Sequence, residues 1–326
     1  ARTRAQAREC HGAVRAAPGQ RRAATGAPMM AAMQTTGLRG ELRLDEPLQQ
    51  YNSWRIGGPA RRMYLPADVD DLACFLAGLD AEEPLLWLGL GSNLLIRDGG
   101  FDGTVIVLQG RLNRLAIDDD RVYAQAGVSC AKVARAAARA DLVGAAFLAG
   151  IPGTMGGALA MNAGAFGGET WAIVRAVTTI DRSGALHERT PDQYRVGYRQ
   201  VVCPAEEWFV DCTLQLHRGD GAAEQAAIRG MLARRAATQP TGLPSCGSTF
   251  RNPPGDHAAR LIEACGLKGF RIGGAEVSPK HANFIINTGG ATAADIEALI
   301  GHIQNTVQAR FGVALQTEVH SVGEPA

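Results

Sequence analysis

The stretch Ala149-Gly-Ile-Pro-Gly-Thr-Met-Gly-Gly-Ala-Leu-Ala-Met-Asn-Ala-Gly-Ala-Phe-Gly-Gly168 decides how this chain is read. It carries no charged residue. Its glycines leave the backbone bare, so that N–H groups can approach a phosphate or a planar ring closely. Thr154 and Asn162 add polar contacts. A long loop of this kind tends to be functional, which favours a ligand loop over one packed only on its own chain. The wider uncharged run, 142–168, spans 27 residues and invites comparison with a membrane segment. Eight glycines and the Ile151-Pro152-Gly153 break argue against insertion, because Leu, Ile, Val and Phe are too sparse.

The rest of the chain narrows the choice. At 326 residues it has room for about two domains of ~150 residues. An apolar fraction of 46% supports a sizeable core, and 20% charged residues exclude a highly charged disordered chain. Lys plus Arg number 33 and Asp plus Glu 32, so the chain is not built to neutralise a nucleic-acid backbone. Aromatics at 6% disfavour a base-stacking surface. Seven cysteines without a Cys-x-x-Cys pair, and histidines without metal spacing, point to a reducing compartment and no structural metal. Residues 1–40 hold seven Arg and one Glu and read as a disordered basic tail or an upstream extension, with Met29, Met30 or Met33 as the natural start. A transit peptide is the alternative.

Periodicity predicts a mixed α+β chain without repeats. Strands are expected at 62–65, 84–88, 104–108, 171–180, 208–216, 281–287 and 313–319. Helices are expected around Val69, Leu72, Phe75 and Leu76 with Asp68 as cap, then at 131–140, 222–236, 258–265 and 294–311. The helix at 222–236 is expected to open a new domain. The turn at Gly89, Gly91, Ser92 and Asn93 follows a strand, but no Gly-x-Gly-x-x-Gly and no helix follow, so it is not a Rossmann turn. Residues 244–253 offer Ser245, Cys246 and Ser248 in one turn, without a nucleophile elbow. On the terminal strand, alternation sets Glu318 opposite the apolar face of Val313, Leu315 and Val319, and favours solvent for it.

Taken in order, these segments resemble the UDP-N-acetylenolpyruvoylglucosamine reductase family. The resemblance covers about 48–323 and runs through Asn52-Ser-Trp-Arg-Ile-Gly-Gly-Pro-Ala60, the turn at 91–93, the loop 149–168, Tyr198-Arg199, the turn 244–253, the run 261–283 and Glu318. The Pro244-Ser-Cys-Gly-Ser248 form is similar to the type II branch. The resemblance implies an α+β fold: a two-part FAD-binding module of the vanillyl-alcohol-oxidase (PCMH) type plus a smaller α+β substrate-binding domain. The module would span 41–219, with lobes at 41–108 and 109–219. The substrate domain would span 220–326, with its last strand returning Glu318 to the site.

It further implies non-covalent FAD, since 143–168 has no His or Cys for a tether. Arg55, Gly57, Gly58, Gly89, Gly91, Ser92, Asn93, Gly153, Thr154, Gly156, Gly157, Asn162 and Gly164 would line the cofactor. NADPH would be the co-substrate. The substrate would be UDP-N-acetylglucosamine enolpyruvate, a UDP-sugar enolpyruvyl ether reduced to UDP-N-acetylmuramate for peptidoglycan. Hydride from flavin N5 would reach C3, and Ser248 would give the proton to C2. Arg199 would stabilise the developing enolate, and protonated Glu318 would hydrogen-bond the carboxylate. Tyr198, Arg234, Asn252 and His281 would contact substrate. A cytoplasmic monomer is expected, with no nucleic-acid or membrane partner and no metal.

Three places depart from the family pattern. Gln200-Val201 follow Tyr198-Arg199 where an acid or amide and a serine are usual. Thr238 precedes Gln239-Pro240 where lysine is common, leaving Arg234 or Arg235 to replace it. Leu90 stands where glycine is common. Two other readings remain at this level: another oxidase of the same flavin fold, and a silent flavin-binding relative. Arg199, Ser248 and Glu318 together weigh against the second.

Overall fold

Helix Val69–Ala77 starts where Asp68 caps it, the carboxylate accepting from Asp71 N at 2.9 Å. It covers one face of a four-stranded sheet ordered Glu41–Pro47, Pro59–Leu65, Phe101–Val107, Leu85–Leu88. The first pair is antiparallel and the others are parallel. Both faces are buried, which explains why Leu85–Leu88 reads as an unbroken apolar run. This computed structural model describes residues 37–326. Most of the expected basic tail lies outside the described residues. Its last part is ordered: Leu38 packs on the first core and Arg39 N donates to Asp71 Oδ1 at 2.7 Å.

The second lobe is a five-stranded antiparallel sheet ordered Leu186–Arg189, Val174–Asp181, Glu207–Gln215, Arg121–Gln125, Leu115–Asp118. Helix Cys130–Arg139 buries Cys130, Val133, Ala134, Ala137 and Ala138, small side chains that permit close approach. The glycine stretch at 149–168 is not one loop. It contains helix Met155–Met161, then a small antiparallel pair, Gly164–Ala165 with Gly168–Glu169. Gly156 and Gly157 hide this helix from a propensity reading.

Helix Gly221–Thr238 was expected to open the next domain, yet it packs on helix Cys130–Arg139 and on Ala146–Gly150. Ile228 is buried in the second lobe's core, with Met231 and Leu232 against it. Glu224 Oε1 accepts from Gly144 N at 2.9 Å and Ala146 N at 3.0 Å. The apolar stripe finds its partner behind it in sequence, so the change of unit falls after this helix.

From there on, helices Ala258–Ala264 and Ala293–Phe311 pack with a three-stranded sheet, Arg271–Ile272, Ala275–Val277 and Ile285–Asn287. Thr292 and Asp295 form a capping box on the long helix. This core takes in Trp54, Ile56 and Leu95 from the first lobe. Trp54 Nε1 donates to Ile285 O at 2.8 Å, and Asn287 Nδ2 donates to Trp54 O at 3.0 Å.

The strand expected at 313–319 is instead an extended run. It touches 249–251 through an isolated antiparallel bridge, Phe250 to Thr317. The terminal strand is His320–Val322, parallel to Leu94–Ile96. Among the described residues, no helix is long and apolar enough to cross a membrane, and no group of three or more His, Cys, Asp or Glu could hold a metal.

Candidate active site

The two lobes and the third unit meet around a cavity of about 420 Å³. Gly89, Gly91, Ser92, Asn93, Gly153, Thr154, Gly156, Gly157, Gly164, Arg199, Ser248 and Glu318 all line it. Residues far apart in sequence therefore share one wall system.

Gly153 and Gly157 test whether a cofactor fits. A Cβ at either position would meet nothing closer than 3.7 Å and 3.8 Å respectively. Packing does not demand glycine there, so the bare backbone serves what lies in the cavity. The site fits a long, flat, phosphorylated group such as FAD. Leucine is a far better helix residue than glycine, by up to ~1 kcal/mol. We therefore expect Gly157→Leu to fold and melt like the parent without flavin, yet to bind FAD at least ten-fold more weakly. Flavin content after gel filtration checks this.

Other nominated positions have different work. Gly57 and Gly58 face backbone: added Cβ atoms would sit 2.7 Å from Ile96 O and 2.3 Å from Asp98 O. Arg55 is exposed and left-handed, with φ of 59°. Asn162 is buried and its amide is fully engaged. Nδ2 donates to Glu169 Oε2 at 3.0 Å and to Gly197 O at 3.1 Å, while Oδ1 accepts from Trp171 N at 3.1 Å.

The four nominated substrate contacts also lie off the cavity wall. Tyr198 is 54% exposed. Asn252 is exposed, and its Oδ1 accepts from Ala258 N at 3.1 Å, at the start of helix Ala258–Ala264. His281 Nδ1 accepts from Asn283 N at 3.3 Å, and burial pushes its pKa down. Its ring stands edge-on to Phe284, which does line the cavity. Arg234 is exposed, and its neighbour Arg235 lines the cavity instead. Arg235 Nη1 donates to Gly150 O at 2.9 Å and Nε to Gln239 Oε1 at 3.0 Å. The sequence held a signal for this choice, because Arg235 continues the stripe of Ile228, Met231 and Leu232 at helical spacing. Leu90, which stands where glycine is common in the family, also lines the cavity.

Arg199 stands at the corner of a hairpin, Arg195–Gly197 with Gln200–Val202. Its φ is 54°, a left-handed conformation costing about 1–3 kcal/mol in a non-glycine residue, as found at functional sites. Nη2 donates to Gly164 O at 2.9 Å, and Nε lies 3.2 Å from Glu318 Oε1. Arg199 is held by the hairpin in which Gln200 and Val201 pair with Gly197 and Val196, by Gly164, and by Asn162 acting on Gly197.

Glu318 does not face solvent. Its side chain is 14% exposed. Its backbone N donates to Thr249 O at 2.8 Å, and its carbonyl accepts from Asn93 Nδ2 at 3.1 Å. Burial raises its pKa, against the pull of Arg199 and Arg251. Ser248 lies on the same cavity, immediately before Thr249. Cys246 is buried, with its thiol pushed up to about 12 by burial, which rules it out as a thiolate nucleophile.

A family model described as a FAD binding domain matches residues 60–189. Together with the two-lobed fold and its glycine-lined cavity, this defines a flavoprotein oxidoreductase. A second model, the C-terminal domain of UDP-N-acetylenolpyruvoylglucosamine reductase, matches residues 239–322 and begins just after helix Gly221–Thr238. A reductase of that name from Alkalilimnicola ehrlichii is 61% identical over 87% of this chain and 96% of its own length. The one from Methylococcus capsulatus is 59% identical over 88% and 94%. The solved reductase from Thermus caldophilus matches with a TM-score of 0.75 and 33% identity, covering 88% of this chain and all of that one. The chain belongs to the UDP-N-acetylenolpyruvoylglucosamine reductase family.

Proposed function

We propose that this chain reduces the enolpyruvyl group of UDP-N-acetylglucosamine enolpyruvate to UDP-N-acetylmuramate, using NADPH, as a cytoplasmic monomer with non-covalent FAD. The observation that carries this reading is the meeting of Arg199, Glu318 and Ser248 on one cavity lined by bare glycine backbone. The turn at 89–93 offers the cofactor backbone N–H groups rather than bulk charge, while Gly153 and Gly157 let it lie close because no side chain stands there. The N–H groups of Gly153, Met155 and Gly156 are spent on Ile151 O, Val128 O and Ala126 O. FAD, when bound, supplies the hydride. The protein's own residues handle the substrate's charge and the proton. Arg199 faces the substrate carboxylate and the negative charge that develops beside it. Ser248 gives its hydroxyl proton to C2 at short range. Arg235 and Gln239 offer donors to the diphosphate, in place of the lysine missing at Thr238.

Glu318 works as a neutral acid. Its raised pKa keeps the carboxyl protonated above the ordinary carboxylate range, so that it donates a hydrogen bond to the substrate carboxylate. The sign follows: the donor is complete at low pH and is lost as pH rises through the raised value. KM for the enolpyruvyl substrate should therefore climb on that limb. In Glu318→Gln the amide stays neutral, KM becomes flat with pH, and kcat/KM at low pH stays within about ten-fold of the parent, the scale of one hydrogen bond. Steady-state profiles test this, and a climbing limb retained in the variant would sink the assignment. The whole reading is tested by anaerobic half-reactions: NADPH should bleach the yellow protein, and the enolpyruvyl substrate should restore its colour.

A further inference from the structure

One wall of the cavity is a continuous piece of chain. It runs from strand Leu85–Leu88 through the turn at 89–93 into strand Leu94–Ile96. At one end Asn93 holds the Glu318 carbonyl. In the middle Gly89, Gly91 and Ser92 line the cavity, Gly89 packed on Thr154 and Gly91 on Tyr51 and Asn52. Upstream stands Trp87.

Trp87 stacks on Trp208, with ring centroids 5.0 Å apart and planes 20° from parallel. Trp87 comes from the first lobe's sheet and Trp208 from the second's, in strand Glu207–Gln215. Both line the cavity. The Arg182 guanidinium lies over the Trp208 ring and donates through Nη1 to Glu83 O at 2.8 Å, which fixes the pair from outside. Trp87 Nε1 is buried, and no acceptor among the described residues takes its proton. An indole N–H only donates, and a buried donor without an acceptor is costly unless a ligand completes it.

Order along the wall assigns the parts of the cofactor. The flavin ring belongs where Ser248, Arg199 and Glu318 handle the reacting atoms. The two phosphates belong at the bare N–H groups of 89–92. What remains is a flat heteroaromatic ring with acceptor nitrogens, beside an aromatic pair and one dry N–H. We propose that Trp87 and Trp208 hold the adenine end of FAD, with Trp87 Nε1–H donating to an adenine ring nitrogen. This rests on the flavoprotein reading and deepens it.

The test compares FAD with FMN, which lacks the adenylate. The flavin-free full chain is titrated with each, following flavin absorbance, for the parent and for Trp87→Phe. Phenylalanine keeps one aromatic ring against Trp208 and removes the N–H donor together with the indole's second ring. FAD should bind about ten-fold more weakly to the variant, with FMN affinity unchanged. An equal loss for both flavins, or no loss for FAD, overturns the proposal. The parent decides independently of the variant's folding: AMP should quench its tryptophan emission in a saturable way, and absence of such quenching also overturns it. If the parent binds neither flavin, the flavoprotein reading itself fails, a different result from either.

Discussion

Ser248→Ala should bleach with NADPH as fast as the parent and recover its colour some 10²–10⁴-fold more slowly when the enolpyruvyl substrate is added, the range for losing a positioned general acid. The reason is a division of labour. Nothing in flavin reduction by NADPH needs a proton at the substrate's C2. Reoxidation by substrate does, because hydride addition at C3 leaves carbanion character at C2. A serine hydroxyl is too weak an acid to act in bulk water, so its value lies in distance and in exclusion of solvent. The alanine chain keeps the cavity wall, so substrate should still bind. Stopped-flow absorbance on each half-reaction separates the two effects. Rapid reoxidation in the variant would remove Ser248 from the proton's path.

Arg199→Ala should slow the same half-reaction by about 10²–10³-fold, the range for removing one donor that stabilises developing charge. It carries a second signature. Arg199 pulls the Glu318 pKa down while burial pushes it up. Without the cation only the upward push and the weaker pull of Arg251 remain, so the alkaline rise in KM should move to higher pH. Glu318, already neutral, is pushed further toward its protonated form, so no uncompensated buried charge is left and the fold should survive. Arg199→Lys should recover only part of the rate, because an ammonium lacks the planar fork that reaches both Gly164 O and the carboxyl. A pH profile left in place by Arg199→Ala would break the link between the two residues.

How far the site is legible from sequence depends on what fixes each residue. The glycine segments announce themselves, because bare backbone is written in the residue type. Whether the glycine serves a ligand or a neighbour is not: Gly157 opens on the cavity, while Gly58 is pressed against Asp98. Helix Met155–Met161 has small residues where an apolar stripe would stand, so its period is faint. Strand Glu207–Gln215 follows from alternation, Leu85–Leu88 from an unbroken apolar run and helix Ala293–Phe311 from its period, while the half-exposed strands Glu41–Pro47, Leu115–Asp118, Arg121–Gln125 and Leu186–Arg189 escape such a reading. Glu318 could not be oriented by alternation, because 313–319 joins no ladder. Its direction is fixed by Thr249 and by the register of His320 on Leu94, both distant in sequence. The choice between Arg234 and Arg235 needed the packed face of helix Gly221–Thr238, which belongs to the lobe before it.

The pairing of His320–Val322 with Leu94–Ile96 bears on how the catalyst comes into being. Asn93 and Glu318 are separated by 225 positions along the chain. During synthesis the edge at Leu94–Ile96 waits for a partner that emerges only after both lobes have been made. Closing so long a loop is slow, because chain entropy is spent before any contact rewards it. The lobes and their glycine turns, by contrast, are assembled from neighbours much nearer in sequence. The reacting end of the cavity is therefore the part of the wall that depends on the longest separations along the chain.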